Sequence, residues 1–137
     1  MGVAFLPVFD DRDDEWPNDI NGKSLARAAN RLDKAVKKAR VGSIYEFYSM
    51  SREQFIAEAL DADPDDPESF DEADVQPVRW HDPAAGLRVI DAMLAWLRDH
   101  PQEIDDSECV REDLDSFKTH LQAAVARGAR WHLEIDA

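Results

Sequence analysis

The sequence has a single cysteine, Cys109, among its 137 residues. An intramolecular disulfide is therefore excluded, and so is a structural zinc site of the multi-cysteine kind. Glycine is scarce, at five residues, which leaves little material for phosphate-cradling loops. No such loop, dinucleotide fingerprint or nucleophile-elbow serine occurs. No apolar run approaches the length of a membrane span. The chain does not open on a charged segment followed by an apolar one, so the expected location is the cytoplasm. The four histidines, His81, His100, His120 and His132, include no pair four residues apart, so the two-histidine metal helix is missing.

Positive charge is also in short supply. There are 16 Lys and Arg against 30 Asp and Glu, for a formal net charge of −14. Nucleic acids and anionic lipid surfaces are polyanions and are expected to be poor partners. Basic proteins and divalent cations remain compatible with that charge. Apolar residues make up 44% of the chain, an ordinary globular value that argues against general disorder. The length suits one domain able to bury a core unaided.

Residues 3–9, Val-Ala-Phe-Leu-Pro-Val-Phe, read as a strand, and Pro7 favours an edge position because it cannot donate to a ladder. Leu25, Ala28, Ala29, Leu32, Ala35, Val36 and Ala39 recur at helical spacing and predict a helix over 24–40. Asn21 and Ser24 are its candidate caps, and Gly42 stands just past its end. Residues 44–48 fit a short strand or an ordered loop. Ser51 and Gln54 match a capping box ahead of a short helix carrying Phe55, Ile56, Ala59 and Leu60. Residues 75–80 resemble a strand weakened by Pro77. Asp82-Pro83 opens a helix that runs to about residue 100, with Pro101 beyond it. Another helix spans about 107–127 and ends at Gly128. Trp131, Leu133 and Ile135 alternate with polar residues in a closing strand. Together these elements predict one α+β domain over 1–137. About four helices pack on a small mixed or antiparallel sheet that includes the N- and C-terminal strands.

The densest acidic stretch, 61–74, carries eight Asp and Glu and no basic residue. Its first twelve residues resemble the calcium loop of EF-hand proteins. Asp61, Asp63 and Asp65 fall at the first, third and fifth positions, Ser69 at the ninth and Glu72 at the twelfth. The resemblance implies oxygen ligands for calcium. Asp66 stands where the family has its turn glycine, and Pro64 and Pro67 stiffen the segment. The competing reading is a solvated, disordered acidic loop reaching to residue 76.

Seven of the sixteen basic residues are Lys23, Arg27, Arg31, Lys34, Lys37, Lys38 and Arg40. At helical pitch all but Arg40 share an arc of about 120° opposite the apolar stripe. Arg27, Arg31, Lys34 and Lys38 are thus candidates for a docking face toward an anionic group, against the plainer reading of an exposed helix surface. Trp16, beside Pro17 in an acidic loop, either packs back onto the domain or acts as a contact residue. Trp80, Trp96 and Trp131 are expected in the core, His132 is expected to point away from it, and Cys109 is expected as a half-buried, inert thiol.

No cofactor is implied. In size and charge alone the chain resembles the immunity proteins, small acidic bacterial proteins that neutralise basic toxins. The expected function is a noncatalytic binding module, immunity-protein-like or an adaptor, meeting a basic protein through acidic segments 10–19, 61–74 and 99–115, with Asp65 and Asp66 among the candidate contact residues. The alternatives are a small hydrolase or metal-dependent enzyme built from scattered Asp, Glu and His, and weak calcium binding by residues 61–72.

Overall fold

A computed structural model describes residues 3–11 and 20–136. Trp16 and most of the 10–19 segment lie outside the described residues. The strand at Ala4–Phe9 (β1) pairs antiparallel with the strand at Trp131–Asp136 (β2), with Phe5 opposite Ile135 and Phe9 opposite Trp131. The two termini therefore meet in one two-stranded sheet. The Phe5 N–H donates to the Gly22 carbonyl at 3.0 Å, so alternate amides from Phe5 onward point away from β2. Pro7 belongs to that outward set, and its missing N–H costs the ladder nothing.

The first long helix, α1, spans Lys23–Ala35. Neither expected cap leads it. Gly22 holds the cap position in a left-handed conformation (φ 72°), and an added Cβ would lie 2.0 Å from the Phe5 carbonyl oxygen. The helix also stops earlier than residue 40. A 3₁₀ turn follows at Lys37–Ala39, and Arg40 takes a left-handed conformation with φ 55°. Asp33 holds the reversal, accepting from the Ser43 hydroxyl at 2.6 Å and the Ile44 N–H at 3.0 Å. Residues Ile44–Phe47 form another 3₁₀ turn rather than a strand, and Tyr48 then makes one parallel bridge to Leu133.

Ser51 caps as its sequence suggests, accepting from the Gln54 N–H at 3.2 Å. The helical turn Arg52–Gln54 (α2) widens at once into a π-helical turn over Phe55–Ala59. Residues 75–80 add no strand; one bridge, His81 to Trp131, ties their end to β2. The helix at Pro83–Asp99 (α3) begins on Asp82, whose carboxylate accepts the Ala84 N–H at 2.9 Å. The last helix, Ser107–Arg127 (α4), closes at Gly128, with the Ala129 N–H reaching the Ala124 carbonyl at 2.9 Å.

Helices α1, α3 and α4 pack on one face of the sheet. Phe5, Phe9, Trp131 and Leu133 meet Leu25, Leu32, Val89, Met93, Leu114 and Phe117 there in one buried cluster. Cross-strand partners share a face, so Leu6, Val8, His132 and Glu134 belong to the opposite side. That side is also covered. His132 is 1% exposed, against the expectation that it points outward, and the Trp80 ring lies 5.0 Å from its own. The 48–81 segment supplies the cover, which the alternation along β2 cannot reveal. Of the three tryptophans expected in the core, Trp131 alone is fully buried; Trp80 and Trp96 are half-buried. Cys109 is exposed rather than half-buried, because Val110 and Leu114 take the inward positions of its turn. No helix among the described residues is long and apolar enough to cross a membrane.

Candidate functional site

The acidic segment is ordered by its own polar groups, against the expectation of a disordered loop. Asp63 Oδ1 accepts the Asp65 N–H at 2.9 Å, Asp66 Oδ1 accepts the Glu68 N–H at 3.0 Å, and Asp71 Oδ1 accepts the Ala73 N–H at 3.0 Å. The Ser69 hydroxyl sits at the centre. It accepts the Asp63 N–H at 3.0 Å and lies 2.9 Å from the Asp63 carbonyl and 2.7 Å from the Asp66 carbonyl. These are side-chain-to-backbone turns of the kind Asp and Ser favour. They make a defined loop whose carboxylates at Asp61, Asp63, Asp65, Asp66 and Glu68 all face water. Glu72 is held differently: both its carboxylate oxygens meet the Arg52 guanidinium, which also lies over the Phe70 ring. Arg52 holds the Glu72 carboxyl below its usual range through that hydrogen bond. Among the described residues, no group of three or more His, Cys, Asp and Glu is placed to hold a metal ion.

Beside this loop, a groove of about 520 Å³ runs between the π-helical turn and residues 76–79. Its walls include Tyr48, Met50, Phe55, Pro77 and Arg79. Nearby, Glu134 on β2 has its pKa raised from 4.5 to about 6 by burial, reinforced by the charges of Asp136, Glu53 and Glu58. Burial and the charge of Glu58 likewise push the Tyr48 phenol up. Sequence reasoning missed this cluster, since its members come from separate stretches of chain. A π-helical turn, which often marks a functional position, leaves no motif in the sequence.

No histidine among the described residues belongs to a group of three or more His, Cys, Asp and Glu placed to hold a metal ion. Burial lowers the pKa of His132, whose Nδ1 lies 3.1 Å from the Leu133 carbonyl. His81 is also lowered, by burial and then by Arg79, and its buried Nε2 makes no hydrogen bond. The cleft beside His81, about 280 Å³, contains one carboxylate, Asp82, which is occupied in capping α3.

The basic face is split by the early end of α1. Arg27 reaches the Ser24 hydroxyl at 3.2 Å. Arg31 pairs with Glu103 at 3.0 Å and lies 4.9 Å over the Trp96 ring, which stacks on His100 at 4.6 Å. Lys34 and Lys38 border a second groove, between α1 and α3. Of the remaining acidic segments, Asp10 and Asp11 are bound to Arg130 and Arg127. Glu108 and Glu112 on α4 are exposed, and Asp113 is buried.

No protein-family model, curated protein or solved structure matches the chain.

Proposed function

We propose that this chain is a noncatalytic cytoplasmic module that binds a basic protein, of the immunity-protein or adaptor kind, through the surface formed by residues 61–74. One observation carries the reading. The carboxylates of Asp61, Asp65, Asp66 and Glu68 are exposed on a loop whose shape is already fixed by Ser69, Asp63 and Asp66. A pre-ordered loop loses little conformational freedom on binding. Its field accelerates encounter with a cationic surface and rejects anionic ones.

The test is differential capture from the native host. Wild-type protein and the triple variant Asp65→Asn, Asp66→Asn, Glu68→Gln are immobilised side by side. The expected result is a basic protein enriched on the wild type, released by salt and much reduced on the variant. Identical captured sets on the two proteins would remove the acidic loop from the account.

A further inference from the structure

We propose that the groove between the C-terminal half of α1 and the C-terminal half of α3 docks an acidic, partly apolar helical segment of a second protein. This face is separate from the 61–74 loop and opposite to it in charge.

The groove has a volume of about 690 Å³. Its lining includes four alanines, Ala35 and Ala92 half-buried and Ala39 and Ala95 exposed, and one carboxylate, Glu103. Arg31, Lys34 and Lys38 line it as well, with Arg31 lying 4.9 Å over the Trp96 ring. α1 stops at Ala35, and the following 3₁₀ turn brings Lys38 and Ala39 into the lining.

Two features set this groove apart from an ordinary solvated helix face. Arg31 and Trp96 are already held, by the Glu103 ion pair and by the stack on His100. Lys34 and Lys38, by contrast, pair with no carboxylate among the described residues, although acidic residues outnumber basic ones 30 to 16. Unneutralised cations beside alanine side chains match a ligand with carboxylates on one side and apolar groups on the other. That is the helix-in-groove mode of recognition.

Nucleic acid fits less well. Its charge density, about one phosphate per 1.7 Å, maximises repulsion from a chain of net charge −14, and phosphates gain nothing from alanine methyls. A segment with a few spaced carboxylates is repelled less at long range. At physiological salt the Debye length is about 8 Å, so the nearby lysines dominate once contact is made.

The probe is a fluorescein-labelled amphipathic peptide with leucine on one face and glutamate on the other, titrated into full-length protein. Binding is followed by anisotropy and mapped by backbone amide shifts. The expected result is a salt-sensitive complex with shifts concentrated at Arg31, Lys34, Lys38, Ala92, Ala95 and Trp96. The double variant Lys34→Glu, Lys38→Glu weakens it about tenfold or more. Ala95→Gln, which lengthens one lining side chain without changing charge, weakens it too. Both sites are exposed, and melting curves verify that each variant folds. The proposal is overturned if the peptide produces no shifts, if the shifts fall elsewhere, or if a single-stranded oligonucleotide binds the same residues more tightly. It is also overturned if the same shifts arise without peptide as protein concentration rises, which would assign the groove to a second copy of the chain.

Discussion

The carboxylate of Asp113 accepts the backbone N–H of Leu25 at 3.0 Å, across 88 residues of sequence. Leu25 lies in the first turn of α1, whose cap residue Gly22 has no side chain to satisfy it. A buried side chain on α4 thus performs the capping that local residues usually perform. The same bond fixes how α1 and α4 lie against each other, and through α1 it sets the position of the basic face.

Replacing Asp113 with alanine strands the Leu25 N–H in a dry environment. The expected loss is about 1–3 kcal/mol of folding stability. Asp113→Asn retains an acceptor oxygen and is expected to lose less. Urea unfolding of both variants measures the difference. Asn21→Ala removes only a 3.3 Å exposed contact to Lys23 and is expected to stay within about 0.5 kcal/mol of wild type.

Gly86 lies under Trp131. A Cβ there would sit 2.5 Å from Trp131 Cζ2 and 2.9 Å from its Nε1. Alanine gains about 1 kcal/mol of helix propensity over glycine, and overpacking a filled core costs about 1–3 kcal/mol. Trp131 is also hemmed in by Phe47 at 5.0 Å and Phe117 at 6.4 Å, so it has little room to retreat. Gly86→Ala is therefore expected to lower stability by about 1–2 kcal/mol, read as a lower melting temperature with a weakened near-ultraviolet tryptophan signal.

Glu134 makes stability depend on pH in a definite direction. Its folded-state pKa, raised to about 6, lies above the unfolded value, so the folded chain holds this proton more tightly. The stability it contributes is complete below pH 4.5 and is lost as pH rises through 6. The full linkage value is about 2 kcal/mol, and water at the half-exposed side screens it to about 1 kcal/mol. Glu134→Gln is expected to be more stable than wild type by that amount at pH 7.5 and indistinguishable near pH 4.5. His132 and His81 act in the opposite sense. Their lowered pKa values remove stability as pH falls below 6.5. Comparing the variant with wild type at each pH cancels their share.

Ser69→Ala tests whether the acidic loop is held in shape. The hydroxyl is exposed, so global stability is expected to change by less than about 0.5 kcal/mol. Amide exchange at Asp63, whose N–H donates to Ser69 Oγ, is expected to accelerate several-fold. Unchanged exchange at Asp63 would show that Ser69 does not order the loop.

The helices at Pro83–Asp99 and Ser107–Arg127 were legible because each carries its signals within one stretch. Asp82-Pro83 starts one, Gly128 ends the other, and apolar residues recur on the buried side. The π-helical turn was not legible, since Phe55, Ile56, Ala59 and Leu60 suit an α-helix equally well. Residues 44–48 were ambiguous because five residues alternate too briefly to separate a strand from an ordered turn. The burial of His132 is hidden for a related reason: alternation identifies one buried face and is silent about what another part of the chain lays over the second.

By itself, the sequence determined the α+β class, the two long C-terminal helices, the presence of a strand near each terminus and the excess of carboxylates. These follow from spacing, turn chemistry and charge, which act between near neighbours or add along the whole chain. Tertiary structure alone decided that Asp113 caps α1, that Glu134 is half-buried among other carboxylates, and that a cationic groove opens between α1 and α3. Each joins groups far apart in sequence, and their energies depend on distance and on exclusion of water, which exist only after the chain has packed.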